Sequence, residues 1–211
     1  MSRGRPAAGG GRWIEVGPER IERWLAGFAE RHGPVEITEG PELVRYMAAD
    51  GAVAECQVPF PPLSGPLAEH AQAVRRVGVL LVRLGGYAAG VFDGDELIVA
   101  KAGSRPVHGR SAAGGWSQQR FARRRDKQAR QALEAAADVA VAILEPYREG
   151  LAGLVLGGDR RAVEELREDR RLGPLLALAV PPFLTVPDPK RAVLQQTPKA
   201  FRAVRIRLVE P

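Results

Sequence analysis

Cysteine is almost missing from this chain of 211 residues: Cys56 is the only one. A lone thiol closes no internal disulfide and offers no thiolate cluster to zinc, so a disulfide scaffold and a zinc ribbon are both excluded. Long apolar runs are missing too. None approaches the roughly 20 residues of a membrane span, the longest being broken by Gly or Pro, and the N-terminal MSRGRPAAGGGR has no apolar core of a signal peptide. A cytoplasmic protein without membrane contact is the expectation. What the chain does have is 45% hydrophobic residues, enough to bury a core, which excludes disorder over its whole length. At roughly 100 to 200 residues per domain, the length suits one large domain or a compact domain carrying a smaller one.

The formal net charge is +6, and it is not spread evenly. Between Lys101 and Arg130 stand nine basic residues (Lys101, Arg105, Arg110, Arg120, Arg123, Arg124, Arg125, Lys127 and Arg130) against Asp126 alone, a surplus of eight. The rest of the chain is slightly acidic, with 22 basic residues against 24 acidic ones. A segment holding more than the entire net charge reads as a footprint for a polyanion rather than as a solubility device. Most of its cations are arginines, whose planar fork suits phosphate.

Punctuation divides the chain. Residues 1–11 are mostly Gly, Arg, Ser, Pro and Ala and read as a disordered arm. Residues 12–66 form a small N-terminal α/β segment: a strand at Trp13–Val16, a helix introduced by Gly17-Pro18 with Ile21, Trp24, Leu25 and Phe28 on one face, a segment Pro41–Met47 expected to be helical, and a strand at Ala52–Val58 that buries Cys56. The Pro-rich stretch from Pro59 to Pro66 fits neither helix nor central strand and marks the boundary. From residue 67 to 211 a second domain is expected. It opens with a short helix and a three-stranded meander, Val77–Leu84, Tyr87–Phe92 and Glu96–Lys101, with the hairpin signal Asp93-Gly94. A glycine-rich loop, Gly103–Gly115, leads to a long helix with apolar residues at three- and four-residue spacing from Phe121 to Leu144. Gly153–Leu156 reads as a buried strand, Gly157-Gly158-Asp159 as a helix N-cap, Phe183–Val186 as a strand and Pro189–Gln196 as a helix. In the closing strand Val204, Ile206 and Leu208 alternate with Arg205 and Arg207, the pattern of a sheet with one wet face. The fold class is α/β with a mixed β-sheet and flanking helices.

At the junction of loop and long helix stands Gly114-Gly115-Trp116-Ser117-Gln118-Gln119-Arg120-Phe121-Ala122-Arg123-Arg124-Arg125. This string resembles the GGQSAxRFARLR signature in the catalytic domain of archaeal and eukaryotic class-1 peptide chain release factors. Both glycines, Ser117 and the block Arg120-Phe121-Ala122-Arg123-x-Arg125 match. The place of the release factors' catalytic Gln is taken by Trp116. In that departure the chain is similar to the release-factor-like peptidyl-tRNA hydrolases of ribosome quality control, whose Gln follows the glycine pair by three positions, here Gln118. The resemblance covers about the last two-thirds of the chain and points to a bacterial branch of that family. It implies a release-factor catalytic-domain-like fold, peptidyl-tRNA as substrate, the large ribosomal subunit and its RNA as partner, and neither cofactor nor metal. A cytoplasmic monomer is expected. No counterpart of a stop-codon-reading domain is evident, which argues against codon-dependent termination.

The residue types suit that chemistry. Hydrolysis of an activated ester needs a placed water and donors for the developing oxyanion. A Gln on a glycine-rich loop supplies both, through Gln118 or, with the register moved by one, Gln119. Gly114 and Gly115 permit backbone angles closed to other residues. Ser117 can cap the helix, whose N-terminus adds partial positive charge. Arg110, Arg120, Arg123, Arg124, Arg125 and Lys127 can hold phosphates. Trp116 either stacks on a base of the CCA end or packs the loop. His108, in the same loop, takes no role. Two other readings stand beside hydrolysis of the ester: an endonuclease cutting in the CCA end, made less attractive by the lack of an acidic cluster around the motif, and a non-catalytic ribosome- or tRNA-binding protein that has lost the chemistry.

Overall fold

The computed structural model describes residues 5–7, 10–83, 85–104 and 117–211, with the backbone alone for 117–126. It is a mixed α/β structure with two sheets, and the chain divides into two compact units, Met1–Val74 with Pro198–Pro211, and Arg75–Thr197.

The first unit is built on an antiparallel sheet of β1 (Arg5–Pro6), β2 (Arg12–Val16), β3 (Val35–Glu39), β4 (Leu43–Ala48), β5 (Val53–Gln57) and β11 (Val204–Val209), in the order β1-β2-β11-β5-β4-β3. Strand alternation sends Val44, Ala54, Cys56, Val204, Ile206 and Leu208 to one face. There they meet Ile21 and Phe28 of helix α1 (Ile21–His32) and Leu67 of helix α2 (Leu67–Gln72), as the sequence pattern predicts for α1. Gly33 stops α1 in the left-handed region at φ 85°. Cys56 is fully buried, and burial pushes its thiol up to about 12, which makes it inert.

Two sequence expectations are corrected in this unit. In the segment 41–47, expected to be helical, residues from Leu43 on form instead the strand β4, paired with both β3 and β5. Its inward side chains Val44 and Ala48 recur at even spacing, and the sheet sets the period. The closing strand, assigned to a domain running from 67 to 211, lies instead inside this N-terminal sheet, between β2 and β5, with Ile206 opposite both Ile14 and Cys56. A strand with one buried face goes where an apolar face is open, whatever its place in the chain.

The Pro-rich stretch folds back on α2 through a buried histidine. Nε2–H of His70 donates to the carbonyl of Pro59 at 2.7 Å, and Nδ1 accepts from the amide of Ser64 at 3.1 Å. That pair of partners fixes the neutral tautomer. It also brackets Phe60, which sits at φ 52°, a conformation a non-glycine residue holds only when its surroundings insist.

The second unit has a mixed sheet of β6 (Arg76–Arg83), β7 (Gly86–Asp93), β8 (Glu96–Ser104), β9 (Gly153–Gly158) and β10 (Ala179–Leu184), in the order β10-β9-β6-β7-β8. The expected meander is present as β6-β7-β8, and β9 returns parallel to β6. A parallel neighbour needs a crossover, and helix α3 (Ser117–Leu144) is part of it. Its alanines Ala136, Ala137 and Ala140 are buried with Val139 and Leu144 in one cluster with Leu80, Val82, Ala89 and Val91 of β6 and β7. Small side chains let the helix lie close to the sheet. Helices α4 (Arg160–Leu166), α5 (Gly173–Leu176) and α6 (Arg191–Gln195) complete the unit, while α7 (Pro198–Phe201) leads back to the first. Asp159 caps α4 as expected, accepting from the amide of Arg161 at 2.9 Å. Gly158 before it adopts φ 103°, and a Cβ there would run into the carbonyl of Val82.

Candidate functional site

β8 ends at Ser104, and α3 begins at Ser117, within the motif. Ser117 is the first residue of α3, and the backbone of Gln118, Gln119, Arg120, Arg123, Arg124 and Arg125 is helical. Of the residues selected from sequence, Arg110, Gly114, Gly115 and Trp116 lie outside the described residues, as does His108. Lys127 is exposed, and so is Arg130. The first buried side chain described on α3 is Ala132, and buried positions recur from there to Leu144. A straight helix rises about 1.5 Å per residue, which makes Ser117 about 22 Å distant from Ala132 along the axis.

The sheet fixes the position from which the connection to α3 departs. Gly103 lies opposite Tyr87, and Gly86 opposite Ser104, at the end of the β7–β8 ladder. The Tyr87 ring occupies the space a side chain at 103 would need: a Cβ there would be 2.6 Å from its Oη. At the adjacent position a Cβ on Gly86 would be 3.3 Å from Pro189. Glycine is therefore used here for close approach, and Tyr87, which is itself packed against the core, holds the root of the connection.

Further down α3, Asp138 is tied to the segment that follows α4. Arg171 donates to Asp138 at 2.8 Å and forks onto Asp169 at 2.7 Å. The hydrogen bonds from Arg171 hold the Asp169 carboxyl below its ordinary range. Sequence reading missed this brace because Asp138 and Arg171 are far apart in the chain and their types are common. At the other end of α3, an open depression of about 400 Å³ is lined by Arg76, Glu145, Pro146, Tyr147, Arg148, Glu149 and Gly150. Its guanidiniums are engaged by Asp93 and Glu145, and it lies at the end of the helix opposite the motif. No group of three or more His, Cys, Asp or Glu able to hold a metal occurs among the described residues. Among the same residues no helix is long and apolar enough to cross a membrane.

The family model described as the Actinobacteria/chloroflexi VLRF1 release factor matches residues 75–207, which begins at the first residue of the second unit and includes the motif and α3. Among solved structures, an archaeal translation termination factor, aRF1, is similar over 67% of this chain and 44% of its own, with 16% identity and a TM-score of 0.42. A second archaeal protein is similar over 72% of this chain and 48% of its own, with 15% identity and a TM-score of 0.41. The chain thus spans less than half the length of either. No curated protein sequence matches.

Proposed function

This chain belongs to the actinobacterial and chloroflexi VLRF1 release factor family, and from that membership we propose that it acts at the ribosome as a peptidyl-tRNA hydrolase. The observation that carries the proposal is the string Gly114-Gly115-Trp116-Ser117-Gln118-Gln119-Arg120-Phe121-Ala122-Arg123, placed so that α3 starts at Ser117.

In this reading Gln118, or Gln119 one position on, positions a water against the carbonyl carbon of the ester that joins the nascent chain to the tRNA. The water attacks that carbon, the bond to the ribose oxygen breaks, one proton of the water passes to the ribose oxygen and the other is released to solvent. The products are a free peptide carboxylate and a tRNA with its CCA end intact. No side chain changes protonation state, because a backbone N–H and a carboxamide suffice to orient the water and receive the oxyanion. The N-terminus of α3 adds partial positive charge where negative charge develops. The basic residues of the same helix, Arg120, Arg123, Arg124, Arg125 and Lys127, together with Arg110, hold phosphates of the tRNA acceptor end and of large-subunit RNA. The helix would work as a handle for RNA at one end and as part of a protein core at the other.

The test is release of a labelled nascent chain from peptidyl-tRNA, presented free and on a stalled large subunit, with sequencing of the tRNA 3′ end. Gln118→Ala is expected to lower the release rate by about a hundredfold or more, the scale of a lost oxyanion donor, and Gln119→Ala to lower it less. Full release by both variants would remove the assigned mechanism, and a shortened CCA end would show a nuclease. One observation favours a second reading: Trp116 stands where release factors keep their Gln. A non-catalytic binder would show salt-sensitive RNA binding with no release on either substrate.

A further inference from the structure

We infer that the edge of the second unit's sheet at which β6, β9 and β10 end is a docking surface for the phosphate backbone of RNA, carried by Arg83, Arg160, Lys190 and Arg191. Strand pairing brings these residues together. Val82 lies opposite Gly158, and Leu184 opposite Gly157, so the connections leaving β6, β9 and β10 start side by side. Arg83, the last residue of β6, donates to the carbonyl of Val186 just past β10 at 2.8 Å. Arg160 opens α4, with its guanidinium carbon 4.2 Å from the centroid of the Phe183 ring. Lys190 and Arg191 stand at the start of α6, and Pro189 before them lies close against Gly86, the first residue of β7 and the partner of Arg83. All four cations are exposed. The partners of Arg83 and Arg160, a carbonyl and an aromatic ring, orient a guanidinium without neutralising it.

The charge here survives a count of the acids. Residues 75–197 hold 20 basic and 14 acidic side chains, the whole net charge of the chain, whereas the first unit has 11 of each. At this edge Arg83, Arg160, Arg161, Lys190 and Arg191 stand against Asp159, Glu165 and Asp188. Glu165 is engaged by Arg161 at 3.1 Å, and Asp159 caps α4. At the opposite edge, where β6 begins and β7 turns into β8, the balance reverses: Asp93, Asp95, Glu96, Glu145 and Glu149 stand against Arg75, Arg76 and Arg148. The start of α3 belongs to the basic edge. The Leu144 side chain lies beside Gly78, near the start of β6, and buried positions continue back along the helix to Ala132. Those 12 steps cover about 18 Å, close to the length of β6 from Gly78 to Arg83 at about 3.3 Å per residue. The helical backbone before Ala132 therefore runs on past this edge, and residues 117–130 contain six basic residues against Asp126. A surface of one sign that continues from four connections onto a helix suits an extended polyanion. Phe183 and Tyr87 are half-buried at this edge, so the contact is to phosphates and not to base faces. Continuity with α3 favours RNA over an acidic protein segment. The inference rests on the assignment of α3 to RNA and deepens it, adding a second set of elements to the same footprint.

The test is binding of the full chain to two probes, a labelled deacylated tRNA and purified large ribosomal subunits, each titrated over a range of salt. Arg160→Gln with Arg191→Gln is expected to weaken binding to at least one probe about tenfold or more at about 0.1 M salt, and to lower the slope of log affinity against log salt by about 1.5, the counterions of two phosphates. The probe that responds identifies the source of the phosphates. Arg76→Gln with Arg148→Gln removes the same charge from the opposite edge and should leave both affinities unchanged. A thermal melt shows whether loss of the Phe183 contact unfolds the first pair; Lys190→Gln with Arg191→Gln then takes its place with the same expectation. Equal losses from the two edges would reduce the effect to net charge and overturn the inference, as would unchanged affinity for both probes in the pairs at the basic edge. Binding of polyglutamate that those pairs abolish while RNA binding stays intact would overturn it in favour of an acidic protein. Binding is read without turnover, so failure of the hydrolase reading shows in the release assay alone, and failure of this edge shows in these affinities alone.

Discussion

Glu55 illustrates how single residues set the acid sensitivity of the first unit. Burial alone would push its carboxyl up, but hydrogen bonds from Arg45 and Arg207 outweigh burial and hold it below its ordinary value. A carboxyl depressed in the folded state contributes stability above its unfolded pKa, and loses that contribution as pH falls through the folded one. Asp50 behaves alike, lowered by the amide of Ala52 and by His32. Denaturant melts should therefore show stability falling below about pH 4, near the unfolded value of a carboxyl. Glu55→Gln should be less stable than the native chain at pH 7 and should lose less on acidification; an identical loss would show that Glu55 has no part in it. The alternation that places Arg205 and Arg207 on a wet face is legible in sequence. Their neighbours are not, because Trp13 and Glu55 meet them only through strand pairing across nearly the whole chain.

Among the elements, α3 is the most legible, since its apolar spacing persists for many turns and tertiary packing agrees with it. The meander is legible for a similar reason: Asp93-Gly94 demands a turn, and the runs on either side alternate or are apolar throughout. β4 is not, because a proline followed by a few apolar residues suits a helix start as well as a strand, and only its neighbours β3 and β5 decide. The candidate site shows the same division. Its residues are legible as a motif at a helix start, whereas the root made by Tyr87 and Gly103 depends on a cross-strand register that spacing does not reveal. The packing of α3 makes a prediction at this scale. Ala140 is fully buried against the sheet, so Ala140→Leu should overpack that contact and destabilise the chain by about 1 to 3 kcal/mol in denaturant unfolding. A shift under about 0.5 kcal/mol, the size of a surface change, would mean that α3 lies less closely on the sheet than described.

For the whole molecule, the decisive feature is that β11 is central to a sheet otherwise made by the first part of the chain. Deleting residues 198–211 removes the strand between β2 and β5 and exposes Ile14, Ala54 and Cys56, which face it. The expected result is loss of cooperative unfolding in the first unit, with ready labelling of Cys56 by a thiol reagent, while the α3-containing unit keeps its helical signal. A truncated chain whose Cys56 stayed unreactive would contradict the topology. The arrangement also dictates an order of events during the protein's own synthesis. Domains usually fold as units from the N-terminus onward. Here every strand of the 75–197 unit leaves the ribosome before β11 does, so the unit that begins the chain is the last able to close. The first unit cannot finish folding until β11 has been made.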